Sequence, residues 1–355
     1  MLKRRPLAVL LGLALLSGCA TLGEGGASRL DLIRQRRSLR CGVSGKIPGF
    51  SYLQTDGSYS GLDVDLCKAF AAAFVPETGA VAETGAVDYR PLTAPERFTA
   101  LRTGEIDLLS RNTTMNLSRD AAGGNGLSFA PVVFHDGQGL MVTTDSGINR
   151  LEDLQGQSIC VGSGTTTEQN LNDAFEARGI AYTPIKYQDL NQVVAGYLQG
   201  RCQAMTSDRS QLAAARSGFA DQGNHRILEE VLSKEPLAPA SVGGDQRLAD
   251  AMRWVVYALI TAEELGITQA NVQERYAEAQ RRPELTRLRR FFGLDASLGE
   301  TLGLRDDFVL QVIQTTGNYG EIYARNLGPD SQVPIPRGLN RLGRDGGVMV
   351  APPFQ

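Results

Sequence analysis

Gly104-Glu-Ile-Asp-Leu-Leu-Ser110-Arg-Asn112 and Gly200-Arg-Cys-Gln-Ala-Met-Thr206-Ser-Asp208 decide the fold. In both stretches a glycine closes a helical pattern, an apolar run follows, and a polar side chain stands eight residues after the glycine. Glycine is a common stop residue of helices, and a short apolar run behind such a stop reads as a buried strand. The surroundings repeat the pattern. Ahead of Gly104 lie a strand over 39–43, an Ala-rich helix over 63–74 with Val64, Cys67, Phe70 and Ala71 on one face, and a strand over 87–92. Thr93-Ala-Pro-Glu96 reads as a capping box that starts a further helix. Ahead of Gly200 lie a strand over 158–161, a helix over 166–178, a strand around Ile185 and a helix capped by Asp189. Such strand–helix alternation, with polar residues just past a strand's carboxyl end, predicts two α/β lobes facing each other across a cleft.

Beyond 240 the pattern turns helical, with a long helix over 245–264, shorter ones to about 325, and a Pro- and Gly-rich tail over 328–355. The expected organisation is one lobe built from 38–142 and 240–355, the tail forming a C-terminal extension, and a second lobe from 143–239. Two strands are expected to cross between the lobes, near 141–144 and near 238–242.

The N-terminus carries an address. Lys3, Arg4 and Arg5 precede an apolar run over 6–16, short of the ~20 residues that span a bilayer. Leu16-Ser17-Gly18-Cys19 then resembles the lipobox of bacterial lipoproteins, in which cleavage before the cysteine frees its thiol for lipid. The expectation is a signal peptide over 1–18, a lipidated Cys19 and a tether over 19–37. An ordinary signal peptide with an incidental Cys19 is the alternative, and it also exports the chain. Outside the cytoplasm ATP and most cofactors are absent, so no cofactor is expected.

Loss of 1–18 removes three basic residues and no acidic one, leaving 33 basic against 39 acidic. That balance argues against a nucleic-acid partner and against a polybasic membrane face. In an exported chain the four cysteines besides Cys19 are disulfide formers before they are metal ligands. Four cysteines allow three pairings. Cys41 falls on the first strand and Cys67 on the following helix, while Cys160 and Cys202 fall on strands of the second unit, which favours 41–67 and 160–202. The two histidines, His135 and His225, lack ligand-like neighbours, so no zinc site is expected.

Val161-Gly-Ser-Gly-Thr-Thr-Thr-Glu168 leads a strand through a glycine turn into a helix, whose first N–H groups are free to meet an anion. Thr165 and Thr166 add hydroxyls, although threonine here is also an ordinary N-cap. Arg111-Asn-Thr-Thr-Met-Asn-Leu-Ser-Arg119 sets Asn112, Thr114 and Arg119 after a buried strand. An arginine fork takes a carboxylate through two parallel hydrogen bonds; a solvated Arg119 is the bland alternative. Asp208 either pairs with an ammonium or caps the helix that follows. Phe50 and Tyr52 either roof a ligand or are loop aromatics. Together one lobe offers Arg119 and Thr114, the other a helix start and Asp208, a set complementary to a zwitterion. No Ser-His-Asp order, HExxH or phosphate-binding loop accompanies them.

Gly61-Leu-Asp-Val-Asp-Leu66, Gly164-Thr-Thr-Thr-Glu168 and Thr206-Ser-Asp208 resemble segments of the periplasmic amino-acid-binding proteins of ABC importers, solute-binding family 3. Leu109-Ser-Arg-Asn-Thr-Thr114, Asp136-Gly-Gln-Gly139, Ser233-Lys-Glu-Pro-Leu237 and Gly317-Asn-Tyr-Gly-Glu321 with Arg325-Asn326 are similar to the general L-amino-acid-binding members. The resemblance implies a type II two-lobed α/β periplasmic binding fold with two crossover hinge strands. It implies an L-amino acid ligand, a membrane permease as partner, cleft closure as the mechanism, and a monomer that makes and breaks no bond. It assigns the ligand carboxylate to Arg119, the Thr114 hydroxyl and the helix start at Thr166, and the ammonium to Asp208. It further implies a broad range of L-amino acids, with a roomy side-chain end near Met115, where relatives often have Trp. A Gly-rich insertion over 121–126 also departs from the family pattern. Two rivals share the scaffold. A cyclohexadienyl-dehydratase-like enzyme needs an acid or base over the cleft, and none stands out. A ligand-sensing lobe needs a separate signalling partner.

Overall fold

The computed structural model describes residues 27–75 and 86–355. The signal peptide and Cys19 lie outside the described residues. Two large sheets carry the chain, beside a small one of Lys46–Ile47, Ser51–Leu53 and Tyr59–Ser60. The first runs in the order Val87–Pro91, Leu39–Val43, Leu108–Leu109, Ala240–Val242, Leu127–Phe129. The second runs Thr183–Tyr187, Ser158–Gly162, Ala204–Asp208, Phe134–Thr143, His225–Ile227. In each sheet the first three strands are parallel, and parallel neighbours require a crossover connection. The helices Leu62–Phe74 and Arg97–Thr103 supply it in the first lobe, Thr166–Glu176 and Leu190–Leu198 in the second. The repeated grammar of the sequence is thus the same winding used twice. Gly104 and Gly200 both take positive φ, 78° and 71°, the left-handed stop that a side chain would disfavour.

The crossings lie earlier than expected. Met141 and Val142 pair with Met205 and Ala204 inside the second sheet, so 141–144 is not a boundary. The chain crosses where Phe134–Gly137, the first part of its strand, pairs antiparallel with Lys234–Leu237. Ala240 already pairs with Leu109 and Phe129 in the first sheet. One continuous strand, Phe134–Thr143, changes partners along its length, so its ends do not mark the crossing.

Two further expectations change. Residues 29–36, placed in a tether, form the helix Arg29–Arg36 with Leu30 and Ile33 fully buried in the first lobe. Ser28 Oγ donates to Asp245 Oδ1 at 2.9 Å, and the Arg29 N–H donates to Asp245 Oδ2 at 2.6 Å, fixing its start. Thr93 does donate to the Glu96 carboxylate, from N at 3.0 Å and Oγ1 at 2.6 Å, but the helix is regular only from Arg97.

The first lobe is built on the helix Leu62–Phe74, buried on almost every side and packed against Phe308–Thr316 and Gln246–Glu264. The tail is irregular yet anchored. Val333, Leu342 and Met349 are buried, Phe354 stands edge-on to Trp254, and Arg337 pairs with Glu263 through both terminal nitrogens.

Both expected disulfides are present. Cys41–Cys67 ties the first strand to the core helix, and Cys160–Cys202 ties two strand regions of the second lobe, with Cα–Cα distances of 6.1 and 5.6 Å. They close loops of 26 and 42 residues, which chain-entropy arguments rate at about 2–5 kcal/mol each. Replacing either pair by serine is expected to lower unfolding free energy by that amount without coupling to the other pair. A double-pair variant whose loss in urea unfolding departs strongly from the sum would show that the bonds are not lobe-local.

Candidate functional site

Between the sheets lies a cleft of about 290 Å³, at the small end of ligand pockets. Asn112, Thr114, Arg119, Thr165, Thr166 and Asp208 all line it, the first three from one lobe and the rest from the other. Phe50 does not. Its ring is 1 % exposed and stands edge-on to Phe134 at 5.2 Å, so it is a core residue. Tyr52 and Met115 also lie outside the cleft. Met115 faces an outer groove beside Phe129 and Val350 and is 41 % exposed. Spacing alone does not reveal which side of a loop faces the lobe core.

Arg119 sits in the short helix Leu117–Asp120, whose start is capped by Asn116 Oδ1 accepting from the Arg119 N–H at 3.0 Å. Its Nη1 donates to Thr114 O at 2.7 Å, and its guanidinium lies 5.3 Å from the Phe98 ring. One face of the fork is thereby fixed and the rest is left for the cleft. Burial lowers its pKa; the negative charges of Glu235 and Asp208 act the other way. Asn112 takes φ 39°, a left-handed conformation that asparagine tolerates. Both its side-chain atoms are buried without a partner, although the residue lines the cleft. Beneath it Asp63 accepts from Ser110 Oγ at 3.2 Å, and burial pushes its pKa up to about 7.

From the other lobe, Thr165 is the N-cap of Thr166–Glu176. It accepts from the Glu168 N–H at 3.2 Å and donates to Gly162 O at 2.7 Å. Its hydroxyl is therefore committed to the helix, and the anion-facing groups of this turn are backbone N–H groups. Asp208 stands at the N-cap position of Arg209–Ser217 but makes no side-chain cap bond. Its Oδ2 accepts from Gln211 Nε2 at 2.7 Å instead. Burial raises the Asp208 pKa well above the usual range; Asp136 and Glu235 push it the same way, against Arg119 and Arg97.

Two important residues were not singled out from the sequence. Arg97 is 3 % exposed, its Nε has no partner, and its guanidinium lies 4.6 Å from the Phe98 ring. Burial depresses its pKa strongly, and Arg119 and Arg111 add to this. Its sequence signal was a cation in the first turn of a helix, where the dipole disfavours it. Glu235, 1 % exposed on a crossing strand, accepts from both Thr114 and Thr166. The cleft is thus lined by three buried guanidiniums, Arg97, Arg111 and Arg119, against the buried carboxylate of Asp208. Among the described residues no cluster of His, Cys, Asp or Glu is arranged to hold a metal ion, and no helix is long and apolar enough to cross a membrane.

Two α/β lobes with charged side chains of both signs converging on the cleft between them define a cleft-type binding protein. The chain belongs to the bacterial extracellular solute-binding proteins, family 3, whose pattern matches residues 39–329. It is 42 % identical, over the whole of both chains, to the general L-amino acid-binding periplasmic protein AapJ of Rhizobium johnstonii. It is 41 % identical to the glutamate/glutamine/aspartate/asparagine-binding protein BztA of Rhodobacter capsulatus, over 94 % of this chain and 95 % of that one. A solved ABC-transporter periplasmic binding protein from Brucella ovis, with glutathione bound, superposes with a TM-score of 0.85 at 40 % identity, covering 93 % of this chain and all of that one. These relatives are described as binding proteins, not enzymes.

The raised pKa of Asp63 sets a stability prediction. A carboxyl whose folded pKa lies above its unfolded value loses stability as pH rises from about 4 to about 7. The loss is at most on the order of 4 kcal/mol. Asp63→Asn is expected to reduce this slope, the remainder coming from the raised carboxyls of Asp136 and Asp208, and to exceed the parent protein in stability at pH 8. Urea unfolding at pH 5 and pH 8 checks it; an unchanged slope in the variant contradicts the assignment.

Proposed function

We propose that the protein is the extracytoplasmic binding component of an ABC importer for L-amino acids. It is held to a membrane by lipid on Cys19 and hands its ligand to the permease through cleft closure. The observation that carries this reading is the placement of Arg119 and Asp208 on opposite lobes of one cleft. The ligand α-carboxylate is held by Arg119 and by the first N–H groups of Thr166–Glu176. The α-ammonium is held by Asp208. A ligand gripped from both lobes favours the closed state by its extra contacts there, and the permease responds to that state.

The charge balance refines the ligand class. A plain zwitterion brings one carboxylate and one ammonium; with the carboxylate on Arg119 and Asp63 near Arg111, Arg97 is left without a counter-charge of its own. A side chain with an acceptor, carboxylate or amide, answers it. The ligands of the relatives support this: glutamate, glutamine, aspartate and asparagine in one, and in another glutathione, which has a free α-amino-acid end and a further carboxylate. The general L-amino-acid range of the third agrees with anchoring through the shared α-groups. The reading is therefore a broad binder ranked by acceptor-bearing side chains.

A thermal-shift screen against the twenty L-amino acids tests the function, since binding stabilises by about 2.7 kcal/mol at a hundred times Kd. Absence of any shift would sink it. Arg119→Ala and Asp208→Ala are each expected to cost about 2–5 kcal/mol of binding by leaving a desolvated ligand charge unpaired. Arg97→Gln is expected to weaken L-glutamate while leaving L-alanine nearly unchanged; equal losses for both would remove Arg97 from the side-chain end. Because the ammonium needs an ionised Asp208, affinity is expected to fall as pH drops through its raised pKa, with a proton released on binding below it. Calorimetry in buffers of different ionisation enthalpy reads that proton. Metabolic labelling with palmitate checks the anchor, with Cys19→Ala expected to be unlabelled.

A further inference from the structure

Glu235 lies on the returning crossing strand, directly opposite Asp136 in the register. It is 1 % exposed, and its two oxygens accept four hydrogen bonds. Oε2 takes the hydroxyl of Thr114, from the first lobe, and at 3.0 Å that of Thr166, from the second. Oε1 takes the Asn170 amide at 2.7 Å and the Ser233 hydroxyl at 2.5 Å. Thr114 and Thr166 line the cleft, whereas Glu235, Asn170 and Ser233 do not. The acid therefore stands behind the ligand space and reaches both lobes through residues that face it. The two threonine oxygens are only 3.4 Å apart.

An ionised carboxylate is acceptor-only, and each threonine hydroxyl has one proton. Hydrogen bonds to a charged acceptor are roughly twice as strong as neutral ones. A buried carboxylate needs such donors to offset its desolvation. Moving the second lobe away about the crossing strands withdraws Thr166 and Asn170 from Thr114. The cross-cleft ion pair of Lys46 with Asp189 at 2.9 Å has a half-exposed lysine and belongs to a class that contributes little.

We infer that Glu235 is a positioning residue that latches the two lobes: its carboxylate gathers Thr114, Thr166 and Asn170 in the closed cleft and holds that arrangement before a ligand arrives. A second consequence concerns polarity. With both hydroxyl protons directed at Glu235, Thr114 and Thr166 turn lone pairs toward the cleft. They accept from a ligand's donors, and the α-carboxylate is left to Arg119 and the helix N–H groups. The inference rests on the closure reading above and adds a preformed contribution from the protein itself.

Small-angle X-ray scattering on the ligand-free protein, with calorimetry using L-glutamate, tests it. The variants are Glu235→Gln, which keeps the volume, and Asn170→Ala, which removes a latch donor without touching the cleft lining. Both are expected to scatter with a larger ligand-free radius of gyration than the parent. L-glutamate affinity is expected to fall roughly tenfold for Asn170→Ala and roughly 10- to 100-fold for Glu235→Gln. The double variant is expected to bind no more weakly than Glu235→Gln alone, because Asn170 acts through that carboxylate. Unchanged radii, with Asn170→Ala binding as the parent does, would overturn the latch. If Glu235→Gln does not fold, Asn170→Ala alone decides. The scattering needs no ligand, so it judges the latch even if no amino acid binds. Binding by parent and variants alike leaves the transport reading standing and removes only the latch.

Discussion

The structure depends on one short antiparallel pairing. Phe134 to Gly137 runs against Lys234 to Leu237, and these are the strands through which the chain leaves the first lobe and returns to it. Apart from the small sheet of Lys46–Ile47, Ser51–Leu53 and Tyr59–Ser60, the strands before this pairing build most of one sheet, and those between its strands build the other. Ala240–Val242 must then re-enter the first sheet between Leu108–Leu109 and Leu127–Phe129. A pairing this short has few bonds of its own, so the surroundings brace it. Tyr319 Oη donates to Val133 O at 2.7 Å. Asn340 of the tail accepts from the His135 N–H at 2.6 Å and donates to the His135 carbonyl at 3.3 Å. A backbone edge that would otherwise be unpaired is thereby covered. The irregular tail thus reaches beyond its own lobe's core to the crossing strands.

The cleft beside that pairing concentrates buried charge. Arg97, Arg111 and Arg119 come from the first lobe; Asp208 comes from the second, and Glu235 and the half-buried Asp136 from the crossing strands. Each would be costly alone in a low-dielectric site. Asp136 and Glu235 raise the pKa of Asp208, and Arg119 and Arg111 lower that of Arg97. Such mutual strain marks sites built for a charged partner. Glu235 is the exception, since four donors satisfy it within the protein. The remaining charges are left with partial partners, and Asn112 with none, which is how a site prepared for a polar ligand differs from a closed ion-pair network.

The sequence by itself determined the winding, the two disulfides and six of the residues that line the cleft. Gly104 and Gly200, the apolar runs behind them, and the polar residues eight positions on are local signals, and local signals survive the absence of coordinates. The strand-end rule then placed Asn112 and Asp208 in one cleft without knowledge of distances. Tertiary structure alone decided the rest. Phe50 is a core residue because its loop turns its ring onto Phe134, and Met115 faces outward because its strand-like segment bridges to the crossing strand. The crossing moved because one strand, Phe134–Thr143, pairs with different partners along its length. Arg97 and Glu235 stayed hidden for the same reason. Their burial comes from elements far away in the chain, and a charged residue's sequence neighbours do not show whether water or a distant hydroxyl will face it.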